Sequence, residues 1–418
     1  MTKKIIKYII FSLLVLTPIF GLYEYFASLS GNGEGIYLNQ VYSPWWIKGL
    51  KDFGLLFIFI FFVLGVLMKE IKFKIPKIFS FWLFIFFILI SFILTAGYVS
   101  LPISLVGLRV FAPFFLFLVA YNIFDNKDIK KISKILIFVA LIECVLATIE
   151  LFLGAPIHGK NFLGLSARPS GTFFVPSSFA IFLCVVIVLI LSDKKISSKK
   201  RFLLIALFSI FIILSESGTG IIGLSLIFIL WFLFFAPVNN LLKISVFLII
   251  LIIPVFIFLN LPEITGRADI FYSLEARGQI LSILYNNMNY KDIFLGKGLG
   301  VGTNSTITIL KSDQIPIEFN ENDLAFISDS QYTSLLSQAG VFSLIFFLTF
   351  NIALFLKAFK KIRYDYSRLI LILIPLILIF SFTSNIFELF PVNWIYFIFL
   401  GTFFKFKFYK PQSYENCY

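Results

Sequence analysis

The sequence predicts an all-α fold, a polytopic membrane helix bundle of about twelve transmembrane helices with one large extracytoplasmic loop between helices nine and ten. Three observations carry that reading. Hydrophobic residues make up 60% of the 418, far above the balance of a water-soluble domain. Apolar runs long enough to cross a hydrocarbon core of about 30 Å recur along the whole chain. Lysine and arginine crowd into alternate connections between those runs. Short alternating strands of the kind a transmembrane barrel needs are absent, and so are GxxxxGK[ST], HExxH and CxxC motifs.

In chain order, the apolar runs place spans near 5–23, 52–68, 78–98, 102–124, 134–153, 173–192, 202–216, 219–236, 243–261, 331–356, 369–387 and 390–404. The first follows Lys3 and Lys4 but continues beyond the length of a signal peptide, so it reads as a retained helix. The second to sixth are long and separated by polar or basic turns. The hairpins at 202–236 and 369–404 contain the shortest runs, and making either re-entrant leaves the parity of every other connection unchanged. The chain thus divides into a membrane bundle over 1–261, a large external loop over 262–330, and further helices with a short tail over 331–418.

With both termini in the cytoplasm, 25 of the 35 lysines and arginines fall at the cytoplasmic ends, including Lys69, Lys130, Lys200 and Lys361. The net charge of +13 then marks anchors to the anionic cytoplasmic leaflet of a membrane, and a nucleic-acid partner is not expected. The external loop has the opposite balance, with five basic and nine acidic residues over 262–330. Loops of this length are commonly functional or disordered. Within it, 269–287 predicts an amphipathic helix, because Ile270, Leu274, Leu281 and Leu284 recur at helical spacing with Arg277 on the same side.

Candidate chemistry gathers at the external face. In LSARPSGTFFVPSSFA, Pro169 and Pro176 stiffen the chain around Gly171 and present Arg168 at the mouth of a span. An interfacial anchoring arginine is the plain alternative. Arg109 lies about two turns into its span, roughly 10 Å deep, where it serves either a substrate or a structural pair with Glu143 or Glu150 of the next helix. GKGLGVGT has glycine at 296, 298, 300 and 302, and it is either a flexible turn or a set of bare amides able to cradle a phosphate. LSESGTG at 214–220 and Glu388 read as polar hairpin tips. Asp329 precedes a helix, as a capping residue or as a carboxylate facing the arginines. Three cysteines and the single His158 build neither a disulfide framework nor a metal cluster, so no cofactor is expected. Guanidinium groups suit a diphosphate, and a carboxylate suits a reacting hydroxyl. Together they point to glycosyl transfer from a lipid-linked diphosphate sugar.

Over residues 100–350 the chain resembles the O-antigen polymerase and ligase superfamily of bacterial membrane glycosyltransferases. The resemblance rests on ARPSGTFFVPSSFA, LSESGTGIIGL, IFLGKGLGVGT and DSQYTSLLSQAGVFSLIFFL, with Arg267 and Gly278 separated by ten residues. It implies a polymerase that joins undecaprenyl-diphosphate-linked repeat units at the outer face of the cytoplasmic membrane, with a chain-length regulator protein as a further partner. It assigns catalysis to Arg168, Arg277 and Asp329. Substrate binding falls to Arg267, Gly171, Gly298, Gly300, Arg109 and Glu275, with Glu275 also a substitute for Asp329. Ligases of this superfamily generally carry a histidine where Asp329 stands, which favours a polymerase over a ligase. A flippase or other transporter is the rival from a different class, but the two halves of the chain show no likeness to each other.

Overall fold

The protein is described by a computed structural model over residues 1–23, 25–26, 45–98, 101–153, 168–173, 175–235, 288–301, 330–362 and 364–405. All regular structure among these residues is helical. α1 spans Thr2–Val15, and Thr17-Pro18 turns the chain into a short 3₁₀ segment, Thr17–Gly21. α2 (Trp45–Leu67) and α3 (Phe79–Tyr98) follow. The expected fourth span is broken at Pro113 into α4 (Leu101–Phe111), a 3₁₀ turn over Ala112–Phe114, and α5 (Phe115–Ile123). α6 is Asn126–Leu153, α7 Pro176–Ser192, α8 Ser198–Leu214 and α9 Gly218–Phe235. A six-residue α10, Tyr290–Leu295, precedes α11 (Gln331–Phe359), α12 (Asp365–Thr383) and α13 (Val392–Lys405).

Seven helical stretches are long and apolar enough to cross a membrane: 49–67, 79–97, 101–123, 126–153, 218–235, 331–359 and 365–383. The chain is therefore read as a membrane-embedded protein. Pro176–Ser192 and Val392–Lys405 are apolar but shorter than that measure. The ordered part of α1 is also shorter than expected, because it ends at Val15. The expected span at 243–261 and the amphipathic helix at 269–287 lie outside the described residues.

Burial separates an inner set of helices from an outer one. Every residue of α7 from Phe179 to Ile190 is buried, and so is all of α13 from Val392 to Phe403. A helix that is apolar on every side needs apolar neighbours on every side. α7 finds them in α6, α8, α9 and α12, and α13 packs chiefly on α5. The outer helices turn large apolar side chains away from the bundle, among them Phe57, Phe86, Phe138, Phe202 and Ile352. A belt of that kind is stable in hydrocarbon and not in water.

Polar contacts sort the connections into two groups. At one end the Met1 amine meets Glu70 at 2.9 Å, Lys7 meets Asp128, Lys194 meets Asp365 at 2.8 Å, and Lys405 donates to the Phe124 carbonyl. The Glu70 carboxyl is held down at about 2 by its hydrogen bonds from the Met1 amine and Thr2. At the other end Arg109 meets Asp52, Arg168 reaches the 215–216 turn, and Thr219 donates to the Thr383 hydroxyl. The lysine-rich connections thus meet one another, and the motif-bearing connections meet one another.

α11 is a long helix with an internal break. Gly340 has φ 73° and ψ 179°, a conformation essentially confined to glycine. A Cβ there would lie 2.1 Å from the Phe294 carbonyl oxygen, so α10 presses its backbone directly into the break. Gly340→Ala is expected to lose about 1–3 kcal/mol from backbone strain and to push α10 off α11. The check is thermal unfolding of the purified protein in detergent. An unchanged melting temperature for this variant would show that α10 does not dock there.

Candidate functional site

The site begins with two carboxylates on one face of α6. Glu143 and Glu150 are seven residues apart, two turns on a helix, and both are buried. Glu143 accepts from the Thr172 amide at 2.8 Å and the Thr172 hydroxyl at 2.6 Å. Glu150 accepts from the Ser170 amide and the Gly171 amide, both at 2.7 Å, and from the Ser170 hydroxyl at 3.0 Å. Five donors from three consecutive residues are thus satisfied by one helix face. This segment is not part of α7, so its amides would otherwise be stranded in an apolar setting. Gly171 adopts φ +55°, and a Cβ would stand 2.4 Å from a Glu143 oxygen. Its bare backbone lets the segment reach the carboxylates.

This clamp aims Arg168. The guanidinium turns onto the tip between α8 and α9, where Nε and Nη2 donate to the Ser215 carbonyl at 3.1 and 3.0 Å. Nη2 also donates to the Glu216 carbonyl at 3.2 Å, and the Glu216 carboxylate lies 3.6 Å from Nε. Arg168 is therefore a partly buried part of the bundle and not a side chain extended toward headgroups. Glu216 holds φ +50°, uncommon for a residue with a side chain, and it is buried. The plain hairpin tip expected at 214–220 is in fact the receptor for Arg168.

Arg109 has a different partner from either expected glutamate. Its Nε lies 2.9 Å from the Asp52 carboxylate at the start of α2. Glu143 and Glu150 are engaged by the 170–172 segment instead. Glu388 completes this second cluster. Asn385 Nδ2 donates to it at 2.8 Å, and burial pushes its carboxyl above the usual range against the pull of Lys51 and Arg109. The two clusters share one end of the bundle. Gly21 packs against the Thr172 backbone, while Phe20 meets the Phe390 ring at 5.3 Å and Lys51 lies over the same ring.

The glycine-rich segment is structural. The Gly300 amide donates to Gln338 Oε1 at 2.8 Å, and the Lys297 amide donates to the Ser337 carbonyl at 2.7 Å. Residues 298–301 are buried, and a Cβ on Gly298 would meet Thr95 at 2.3 Å. Gly300 stands against the Ile103 carbonyl and beside Gly107 of α4. Gly298 and Gly300 thus wedge the chain between α3, α4 and α11.

Of the other expected site residues, Asp329, Arg277, Arg267, Glu275 and His158 lie outside the described residues. No metal-ligand group occurs among the described residues. Sequence reasoning missed Asp52, the anchoring role of Glu143 and Glu150, and the pairing of Asn385 with Glu388. A usable signal existed for the glutamates: two carboxylates at i and i+7 in an otherwise apolar helix need a shared set of donors. Comparison with known proteins finds no matching family model, no similar curated protein and no similar solved structure.

Replacing Glu150 by Leu strands two amides and a hydroxyl, at about 1–3 kcal/mol for each buried group left without a partner. Glu150→Gln keeps one accepting oxygen. The melting temperature in detergent is expected to fall in the order wild type, Glu150→Gln, Glu150→Leu. Equal melting of wild type and the Leu variant would remove the anchoring role.

Proposed function

We propose that the chain is a polysaccharide polymerase that joins undecaprenyl-diphosphate-linked repeat units at the outer face of a bacterial cytoplasmic membrane. The observation that carries the reading is Arg168, an arginine fixed by a buried carboxylate clamp at the mouth of α7. A merely interfacial anchor would need no such frame. The motifs at 165–183, 214–220, 296–303 and 329–348 support it by their order along the chain. In this reading the lysine-rich end and both termini face the cytoplasm, and the arginine-bearing end faces outward.

The chemistry needs no metal in principle. An acceptor hydroxyl on one lipid-linked unit attacks the anomeric carbon of the other. The carbon–oxygen bond to the diphosphate breaks, and undecaprenyl diphosphate leaves with the electron pair. Asp329 takes or orients the hydroxyl proton. Arg168 and Arg277 offset the charge growing on the leaving diphosphate, with Arg267 assisting. A diphosphate oxygen would exchange with the Glu216 carboxylate on Arg168, since that ion pair, at 3.6 Å, is longer than the hydrogen bonds to the Ser215 and Glu216 carbonyls. A ligase of the same superfamily is the second reading, and Asp329 in place of a histidine weighs against it.

Deletion of the gene is expected to collapse the surface-polysaccharide ladder to a single attached repeat. Loss of every repeat points instead to a ligase or a flippase. In complemented cells, Arg277→Ala and Arg168→Lys are expected to cut chain growth by about 10²–10³-fold at normal membrane abundance. Long chains from the Arg277→Ala strain would exclude that residue from the reaction.

A further inference from the structure

The start of α11 and the turn between α12 and α13 hold two amide side chains with half of their hydrogen bonds made. Gln331 is fully buried, and its Oε1 accepts from the Phe387 amide at 2.8 Å. Asn385 Nδ2 donates to the Glu388 carboxylate at 2.8 Å and approaches Ser334 Oγ at 3.5 Å. These contacts fix which way each amide points. A backbone N–H requires the Gln331 oxygen, and a carboxylate requires the Asn385 nitrogen. What remains is Gln331 Nε2, a donor, and Asn385 Oδ1, an acceptor, both buried and both without a partner among the described residues. Native structures rarely leave such groups unmade, because each gives up its hydration for nothing in return.

The leftover pair has a definite chemistry. A leftover donor and a leftover acceptor are what the hydroxyls of one ligand can satisfy, one oxygen accepting from Nε2 and one hydroxyl donating to Oδ1. The Glu388 carboxylate beside them accepts one side-chain hydrogen bond from Asn385, and its other oxygen accepts none among the described residues. It therefore has room for a second hydroxyl. A phosphate is disfavoured at this spot, since Glu388 would repel it, Arg109 is engaged with Asp52 and Lys51 lies over the Phe390 ring. Neighbouring hydroxyls on one ligand describe a saccharide. Gln331 also stands two residues after Asp329 in the chain, at the first turn of α11.

We propose that Gln331, Asn385 and Glu388 form a saccharide subsite that holds hydroxyl groups of the repeat unit, apart from the arginines that take its diphosphate. This rests on the polymerase reading and adds to it where the sugar sits. Binding requires a small opening of the 384–388 turn, because both unmade atoms are shielded in the structure.

The test uses the full-length protein in detergent with two probes, undecaprenyl diphosphate alone and the undecaprenyl-diphosphate-linked repeat unit extracted from the deletion strain. Wild type is expected to bind the sugar-bearing probe at least about tenfold more tightly, the gain of one or two well-placed hydrogen bonds. Gln331→Glu keeps the oxygen that Phe387 uses and replaces the leftover donor by an acceptor. Glu388→Gln keeps an oxygen for Asn385 and alters what faces the ligand. Each variant is expected to lose the tenfold difference while binding the bare lipid diphosphate within about twofold of wild type. Bare-lipid binding shows that a variant is folded, and either folded variant suffices to decide. Variants that keep the wild-type difference overturn the subsite and leave the amides to an ordered water. Equal binding of both probes by wild type overturns the subsite but leaves the lipid-diphosphate reading standing. Failure of wild type to bind either probe overturns the polymerase reading, and the subsite with it.

Discussion

In an apolar bundle, a backbone amide that leaves a helix must find its partner inside the protein, because lipid offers none. Much of the architecture answers that constraint. Where the chain is extended at 170–172, α6 supplies two carboxylates to receive it. Where it passes in a wedge at 297–300, α11 supplies the Ser337 carbonyl and the Gln338 side chain. Where it turns between α12 and α13, Gln331 receives the Phe387 amide, and the Ser384 carbonyl receives the Gln331 amide in return. Each receiver is a polar side chain or an open carbonyl on an otherwise greasy helix. These three irregular stretches are also the ones that bring charged groups to the same end of the bundle.

The same constraint explains how the candidate chemistry is assembled. Arg168 is aimed by the residues that follow it, since Ser170 to Thr172 are fixed to α6. Its guanidinium then joins α8 and α9 through the 215–216 carbonyls. Arg109 joins α4 to α2 through Asp52. The cations at this end therefore also act as structural links, and a ligand would have to compete with internal partners for them.

Much of the helical framework could be read from the sequence. The apolar runs expected at 78–98, 134–153 and 331–356 fall within helices at 79–98, 126–153 and 331–359 to within a residue, because run length decides whether a segment can be shielded in hydrocarbon. The alternating lysines anticipated which connections meet. What could not be read was the rotation of each helix. α7 is apolar on all sides, so nothing in its sequence says which neighbour each face will meet. For that reason Arg109 was assigned to Glu143 or Glu150 by depth, whereas the rotation of α6 turns both toward 170–172. Glycines were ambiguous for a related cause. The spacing in GKGLGVGT reports only that the backbone is bare, and a bare backbone serves a neighbouring helix as readily as a phosphate.

The mutual seating of α10 and α11 sets a rule for how such a chain can vary. Gly340 faces the Phe294 carbonyl, Gly296 faces the Ala339 amide, and Gly300 stands against Gly107. These are contacts of main chain with main chain, and no side chain can be exchanged to take up a shift. Inserting one residue anywhere between 294 and 301 would throw every later contact out of register. Length changes between Val301 and Ser330 leave those main-chain contacts in register. Descendants of this sequence could lengthen, shorten or rewrite that stretch while inheriting the seating of α10 on α11 unaltered.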